Sequence, residues 1–114
     1  MKTFQYGQDH LTSSLALKLA RKEIKGILSE ETLTAIQKSA EAVEKIAQGD
    51  RVVYGINTGF GPLCTSKISA ADTRTLQENL LKSHAVGVGE PVDIEISRLM
   101  MVLKAHALAQ GFSG

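Results

Sequence analysis

The chain has 114 residues, enough for one modest domain and too few for two ordinary ones. Thirteen basic against twelve acidic residues leave a formal charge of +1, with no basic block of the kind that nucleic-acid binding needs. Hydrophobic residues make up 43% but aromatics only 4%, so a core must be built from Leu, Ile, Val, Met and Ala, which pack helix against helix readily.

In chain order, the first expectation is a short extended piece around Phe4 and Tyr6, followed by Asp9, His10 and Leu11 in a turn. Thr12, Ser13 or Ser14 caps a first helix with Leu15, Ala16, Leu19 and Ala20 as its apolar stripe, and Gly26 ends or interrupts it. Ser29 caps a second helix, with Glu30 and Glu31 in the first turn, where negative charge meets the positive end of the helix dipole. Leu33, Ile36, Ala40, Val43 and Ala47 recur at helical spacing, and Gly49 marks the exit. Residues 51–53 read as briefly extended. Ser69 and Asp72 have capping-box spacing for a third helix, in which Leu76 and Leu80 share a face that His84 continues. Residues 87–91, with two glycines and Pro91, break that helix. A last helix starts near Val92 or Asp93, and Ile96, Leu99, Met100, Leu103, Ala107 and Leu108 give it an apolar surface wide enough for more than one neighbour. The expected fold is mainly α: four helices, with a short extended segment near the N-terminus.

Two segments are not explained by packing periodicity. The first is Tyr54-Gly55-Ile56-Asn57-Thr58-Gly59-Phe60-Gly61, where three glycines let the backbone turn repeatedly and approach other groups closely. Asn57 and Thr58 suit either of two tasks there, satisfying backbone groups or holding a polar ligand. Tyr54 and Phe60 suit either a binding surface or inward packing. The run lacks the Lys-Ser/Thr ending of a phosphate loop, and its glycines fit the dinucleotide fingerprint poorly. The second segment is His84 ahead of the Gly87-Val88-Gly89 turn. A histidine here either exchanges protons and binds a polar substrate or is a hydrogen-bonded structural group. His10, His84 and His106 are too widely spaced for a zinc motif, and Cys64 does not repair this. As the single cysteine, Cys64 forms no internal disulfide and fits a reducing compartment. Residues 1–7 lack the apolar core of a signal peptide, and no run is long enough to cross a bilayer. A cytoplasmic protein without membrane or nucleic-acid partners is expected.

The two segments, together with Leu76-Gln77-Glu78-Asn79-Leu80-Leu81-Lys82-Ser83-His84, Arg98-Leu99-Met100 and Leu108-Ala109-Gln110-Gly111-Phe112-Ser113-Gly114, resemble the N-terminal portion of the aromatic amino acid lyase family. Within it, the Ser83-His84 pair resembles the histidine ammonia-lyases, although tyrosine-specific relatives also carry histidine at that point. The resemblance covers almost all of residues 1–114 but only a minority of a complete member. It implies an enzyme that eliminates ammonia from L-histidine to give urocanate, the opening step of histidine degradation. It further implies a homotetramer and an electrophilic 4-methylidene-imidazole-5-one group formed from the protein's own Ala-Ser-Gly.

By the same resemblance Tyr54 is the catalytic tyrosine that abstracts the β-proton, a task for a phenol whose reference pKa is about 10. His84 is the substrate-binding histidine. Gly55, Asn57, Thr58, Gly59, Phe60 and Gly61 form a mobile active-site loop that opens for substrate and closes against water. The chain departs from the family pattern at Leu63 and Cys64, and more seriously in lacking Ala-Ser-Gly; Phe112-Ser113-Gly114 has no alanine at the required place. The expectation is therefore an N-terminal fragment or domain, inactive alone and free of cofactor or metal. The alternatives are a non-catalytic helical assembly or regulatory module, or part of a tyrosine or phenylalanine ammonia-lyase.

Overall fold

A computed structural model describes residues 2–63 and 66–114, the side chain of Leu63 excepted. Cys64 lies outside the described residues. The chain divides into two compact units, Met1–Ala40 with Glu90–Gly114, and Glu41–Gly89. Four α-helices and one short parallel strand pair are present among the described residues, as the mainly α reading expects.

In the first unit, β1 (Thr3–Gln5) pairs in parallel with β2 (Lys25–Ile27), and Phe4 lies opposite Gly26. Parallel strands need a crossover. Here it contains α1 (Ser13–Ala20), whose first turn is capped by Thr12, with Oγ1 accepting from the Leu15 amide at 3.2 Å. Gly26 does not end this helix. It ends at Arg21 and Lys22, where the Glu23 amide donates to the Lys18 carbonyl and the Lys22 amide to the Leu19 carbonyl. This is the Schellman closure, with Lys22 at φ 62° where glycine is usual. Gly26 serves the strand instead, because a Cβ there would collide with the ring of Tyr6.

α4 (Ile94–Leu108) begins at Asp93, whose carboxylate accepts from the Glu95 amide at 2.7 Å. Its Val102 joins Phe4, Ala16, Leu19 and Ile24 in one buried cluster, with Tyr6, Leu11, Leu15 and Leu99 packed around it. The opposite surface of α4 is bare: Ile96, Met100, Met101, Leu103 and Leu108 are all exposed. His106 proves to be packed. Its Nδ1 accepts from the Gly7 amide at 3.2 Å, and its ring lies 5.5 Å from that of Phe4. His10 is exposed, and the neighbouring turn is made by Asp9, which accepts from the Gln5 amide at 2.7 Å.

Arg21 grips Glu95 with two guanidinium nitrogens, at 2.7 and 3.2 Å. The hydrogen bond from Arg21, reinforced by its charge, holds the Glu95 carboxyl below the ordinary range. A carboxylate lowered on folding adds stability above its unfolded value, and this contribution is lost as pH falls through the folded value. The Glu95 carboxyl should therefore titrate below the ordinary glutamate midpoint of about 4.3. Arg21→Ala should return it to that midpoint, as followed by carboxyl NMR; equal midpoints in both proteins would show that the pair is not formed in solution.

α2 (Glu30–Gln48) starts as its sequence dictates. The Thr32 amide donates to Ser29 Oγ at 3.1 Å, and the buried Thr32 hydroxyl donates to the Tyr6 carbonyl at 3.2 Å. Its apolar stripe is less buried than periodicity suggests: Ile36, Val43 and Ala47 are half-buried, whereas Leu33 and Ala40 are exposed. The second unit continues from the end of α2 through the glycine-rich segment and a short 3-10 turn (Gly61–Leu63) to α3 (Ala70–His84). Ser69 caps α3: the Asp72 amide donates to its Oγ at 3.2 Å, and its hydroxyl donates to the Asp72 carboxylate at 2.6 Å. Residues 85–91 have no regular structure and are exposed. No described helix is long and apolar enough to cross a membrane.

Candidate functional site

The glycine-rich loop has a fixed base and an exposed tip. Its base is Asn57, which has no solvent-exposed surface (0%) and whose side-chain oxygen and nitrogen are both hydrogen-bonded. Oδ1 accepts from the Val53 amide at 2.9 Å, while Nδ2 donates to the carbonyls of Arg51 at 2.8 Å and Ile46 at 3.3 Å. The backbone carbonyl of Asn57 accepts from the Ile68 amide at 2.8 Å. Ile46 lies in the last turn of α2, where carbonyls have no partner within the helix. The Asn57 side chain thus joins the last turn of α2 to residues 51 and 53, and its backbone carbonyl joins residue 68 on the other side of the loop.

The same network runs through residues 51–53, which were expected to be briefly extended. Val53 does not enter a ladder, because Asn57 takes its amide, and none of the three residues is in a strand. Thr58 is equally deep. Its hydroxyl accepts from the Gly55 amide at 3.2 Å and donates to the Gly59 carbonyl at 2.9 Å, and Thr58 bridges antiparallel to Lys67. Of the two tasks open to Asn57 and Thr58, satisfying the backbone is the one these contacts show.

The tip consists of Tyr54, Gly55 and Phe60. Gly55 turns the chain at φ 77°, a conformation that an L side chain resists. Tyr54 is 62% exposed, and its ring meets Phe60 edge-on, with centroids 5.7 Å apart and planes at 78°. Its hydroxyl has no hydrogen-bond partner among the described residues. The Gly55 carbonyl accepts from Gln77 Nε2 on α3 at 3.3 Å.

His84 is the last residue of α3 and is exposed. Its Nδ1 lies 2.8 Å from the Leu80 carbonyl oxygen and 3.1 Å from Ser83 Oγ, and the Ser83 hydroxyl donates to the same carbonyl at 3.0 Å. A carbonyl oxygen only accepts, so Nδ1 carries the hydrogen and, in the neutral ring, Nε2 is left as an acceptor. Neither a hydrogen bond nor a ring contact joins Tyr54 to His84 among the described residues. An apolar cavity of about 580 Å³, lined by Tyr6, Gly26, Leu28, Ile36, Ala105 and Leu108 among others, belongs to the first unit and includes neither residue. No group of three or more His, Cys, Asp or Glu among the described residues is placed to hold a metal ion.

The family model for aromatic amino acid lyases matches residues 11–114. The histidine ammonia-lyase of Shouchella clausii is 56% identical over 93 residues, which are 82% of this chain and 19% of that protein. The histidine ammonia-lyase of Clostridium tetani is 42% identical over 108 residues, 95% of this chain and 21% of its own length. Among solved structures, the tyrosine aminomutase of Streptomyces globisporus superposes with a TM-score of 0.84 at 27% identity, over 96% of this chain and 21% of that one. The chain spans about a fifth of the length of these relatives. A loop base built on Asn57, a tyrosine at its tip and a histidine closing the next helix are thus features of a member of the aromatic amino acid lyase family, to which this chain belongs.

Proposed function

We propose that these residues are the N-terminal portion of a histidine ammonia-lyase, which eliminates ammonia from L-histidine to give urocanate in the cytoplasm. The observation that carries this reading is the 56% identity to a histidine ammonia-lyase across most of the chain, with Ser83-His84 present. In this reading Tyr54 takes the β-proton of the substrate, and its exposed tip position leaves the hydroxyl free to meet a ligand. Nε2 of the exposed His84 accepts a hydrogen bond from a substrate N–H. Gly55, Gly59 and Gly61 let the tip close over the substrate while Asn57 and Thr58 stay anchored, and Phe60 backs the Tyr54 ring.

The residues present do not fit the family's 4-methylidene-imidazole-5-one group. That group forms from Ala-Ser-Gly, and the tripeptide occurs nowhere in the 114 residues. When bound in a complete enzyme the group supplies the electron sink that lets ammonia leave, so polypeptide beyond these residues must provide it. Self-association into the homotetramer of the family accounts for the bare apolar surface of α4, since monomers seldom expose a contiguous surface of that kind.

A tyrosine-directed activity is the second reading, favoured by the structural similarity to a tyrosine aminomutase. One assay separates the two. Full-length protein offered L-histidine, L-tyrosine and L-phenylalanine in turn should give an ultraviolet-absorbing unsaturated acid chiefly from histidine. Preferential turnover of tyrosine would replace the first reading with the second.

A further inference from the structure

The Tyr54 turn is held by something the Asn57 base does not supply. Asn57 and Thr58 fix the loop at residues 46, 51, 53, 55 and 68, all through contacts that leave the Gly55 carbonyl free. That carbonyl, one peptide unit from Tyr54, is taken by the side chain of Gln77. Among the described residues this is the single hydrogen bond between α3 and the tip of the loop. Gln77 and His84 are seven residues apart on α3, two turns along, so they lie on nearly the same helix face, about 10 Å apart along the axis.

We propose that Gln77 is a positioning residue: its amide latches the Tyr54 turn to α3 and so sets the distance between Tyr54 and His84. The proposal rests on the histidine ammonia-lyase reading for the roles of those two residues. α3 then acts as a ruler, with the tyrosine turn fixed at one mark and the histidine built in at another. The bond is suited to a latch because it is neutral, exposed and 3.3 Å long. A bond of this kind shifts an open–closed balance by only about five-fold, enough to favour the closed tip and weak enough to release it.

The test uses the full-length protein with Gln77→Glu, which keeps the length of the side chain but removes both N–H donors and sets a carboxylate against a carbonyl. With histidine, kcat should fall on the order of ten-fold through lost positioning, while KM and the thermal midpoint stay close to wild type. Hydrogen exchange of residues 53–56 should accelerate by about five-fold. Gln77→Lys, which returns an N–H donor within reach of the carbonyl, should recover most of the lost kcat. Wild-type kcat in Gln77→Glu, or a fall that Gln77→Lys does not relieve, would overturn the latch. If the wild-type protein forms no urocanate, the functional reading fails separately, and exchange at residues 53–56 still decides the latch: unchanged rates reject it and faster rates keep it.

Discussion

Tyr54→Phe in the full-length protein is expected to lower kcat for histidine by about 10²- to 10⁴-fold, the range a positioned general base contributes. The substitution removes one oxygen and leaves the ring. The edge-on contact with Phe60 at 5.7 Å survives, and no hydrogen bond within the described residues is lost, because the Tyr54 hydroxyl makes none. The thermal midpoint should therefore hold, and KM should move little, since the phenol is asked to act in proton transfer and not in holding the substrate. Steady-state kinetics on the purified variant, read against its melting curve, checks this. A kcat within a few-fold of wild type would remove Tyr54 from the role of base.

Asn57→Ala should act in the opposite way, through structure first. The substitution strands the Val53 amide and the Arg51 carbonyl and takes away one acceptor-bound N–H at the end of α2. Leaving part-buried polar groups without partners costs about 2 kcal/mol at a site of this kind, or roughly 30-fold in the local opening equilibrium. Hydrogen exchange at Val53 and Ile68 reports that opening directly, and both amides should exchange faster by about this factor. The first reads the lost bond to Asn57 Oδ1. The second reads the Asn57 backbone carbonyl, which the substitution leaves in place, so its acceleration would mean that the whole base has loosened. Unchanged exchange at both positions would mean that the loop does not depend on its buried asparagine.

The parts of the fold that were legible in the sequence are those written in short-range chemistry. Thr12, Ser29, Ser69 and Asp93 each cap a helix because one side-chain oxygen reaches an amide two or three residues on. The misreadings have two sources, a pairing that is not local and a left-handed residue that is not glycine. Lys25-Gly26-Ile27 carries no strand pattern and becomes a strand because β1 lies alongside. The end of α1 was hidden because Lys22 adopts the left-handed conformation usually signalled by glycine, while the glycine that attracted attention, Gly26, makes room for an aromatic ring.

The candidate site follows the same division. Tyr54 and His84 stood out by their surroundings in the chain, a cluster of glycines in one case and a helix end in the other. The division of the loop into anchored base and exposed tip did not, because Asn57 reaches back 11 residues to Ile46. Gln77 had no signal of its own, being one polar residue in a polar helix whose partner is 22 residues away.

The most direct measurement of the central claim is urocanate formation, followed by its ultraviolet absorbance, from L-histidine by the full-length protein and by residues 1–114 separately. The full-length protein should produce urocanate, and the 114 residues, with Tyr54 and His84 but no Ala-Ser-Gly, should produce none. Urocanate from the 114 residues at a rate comparable with the full-length protein would contradict the account.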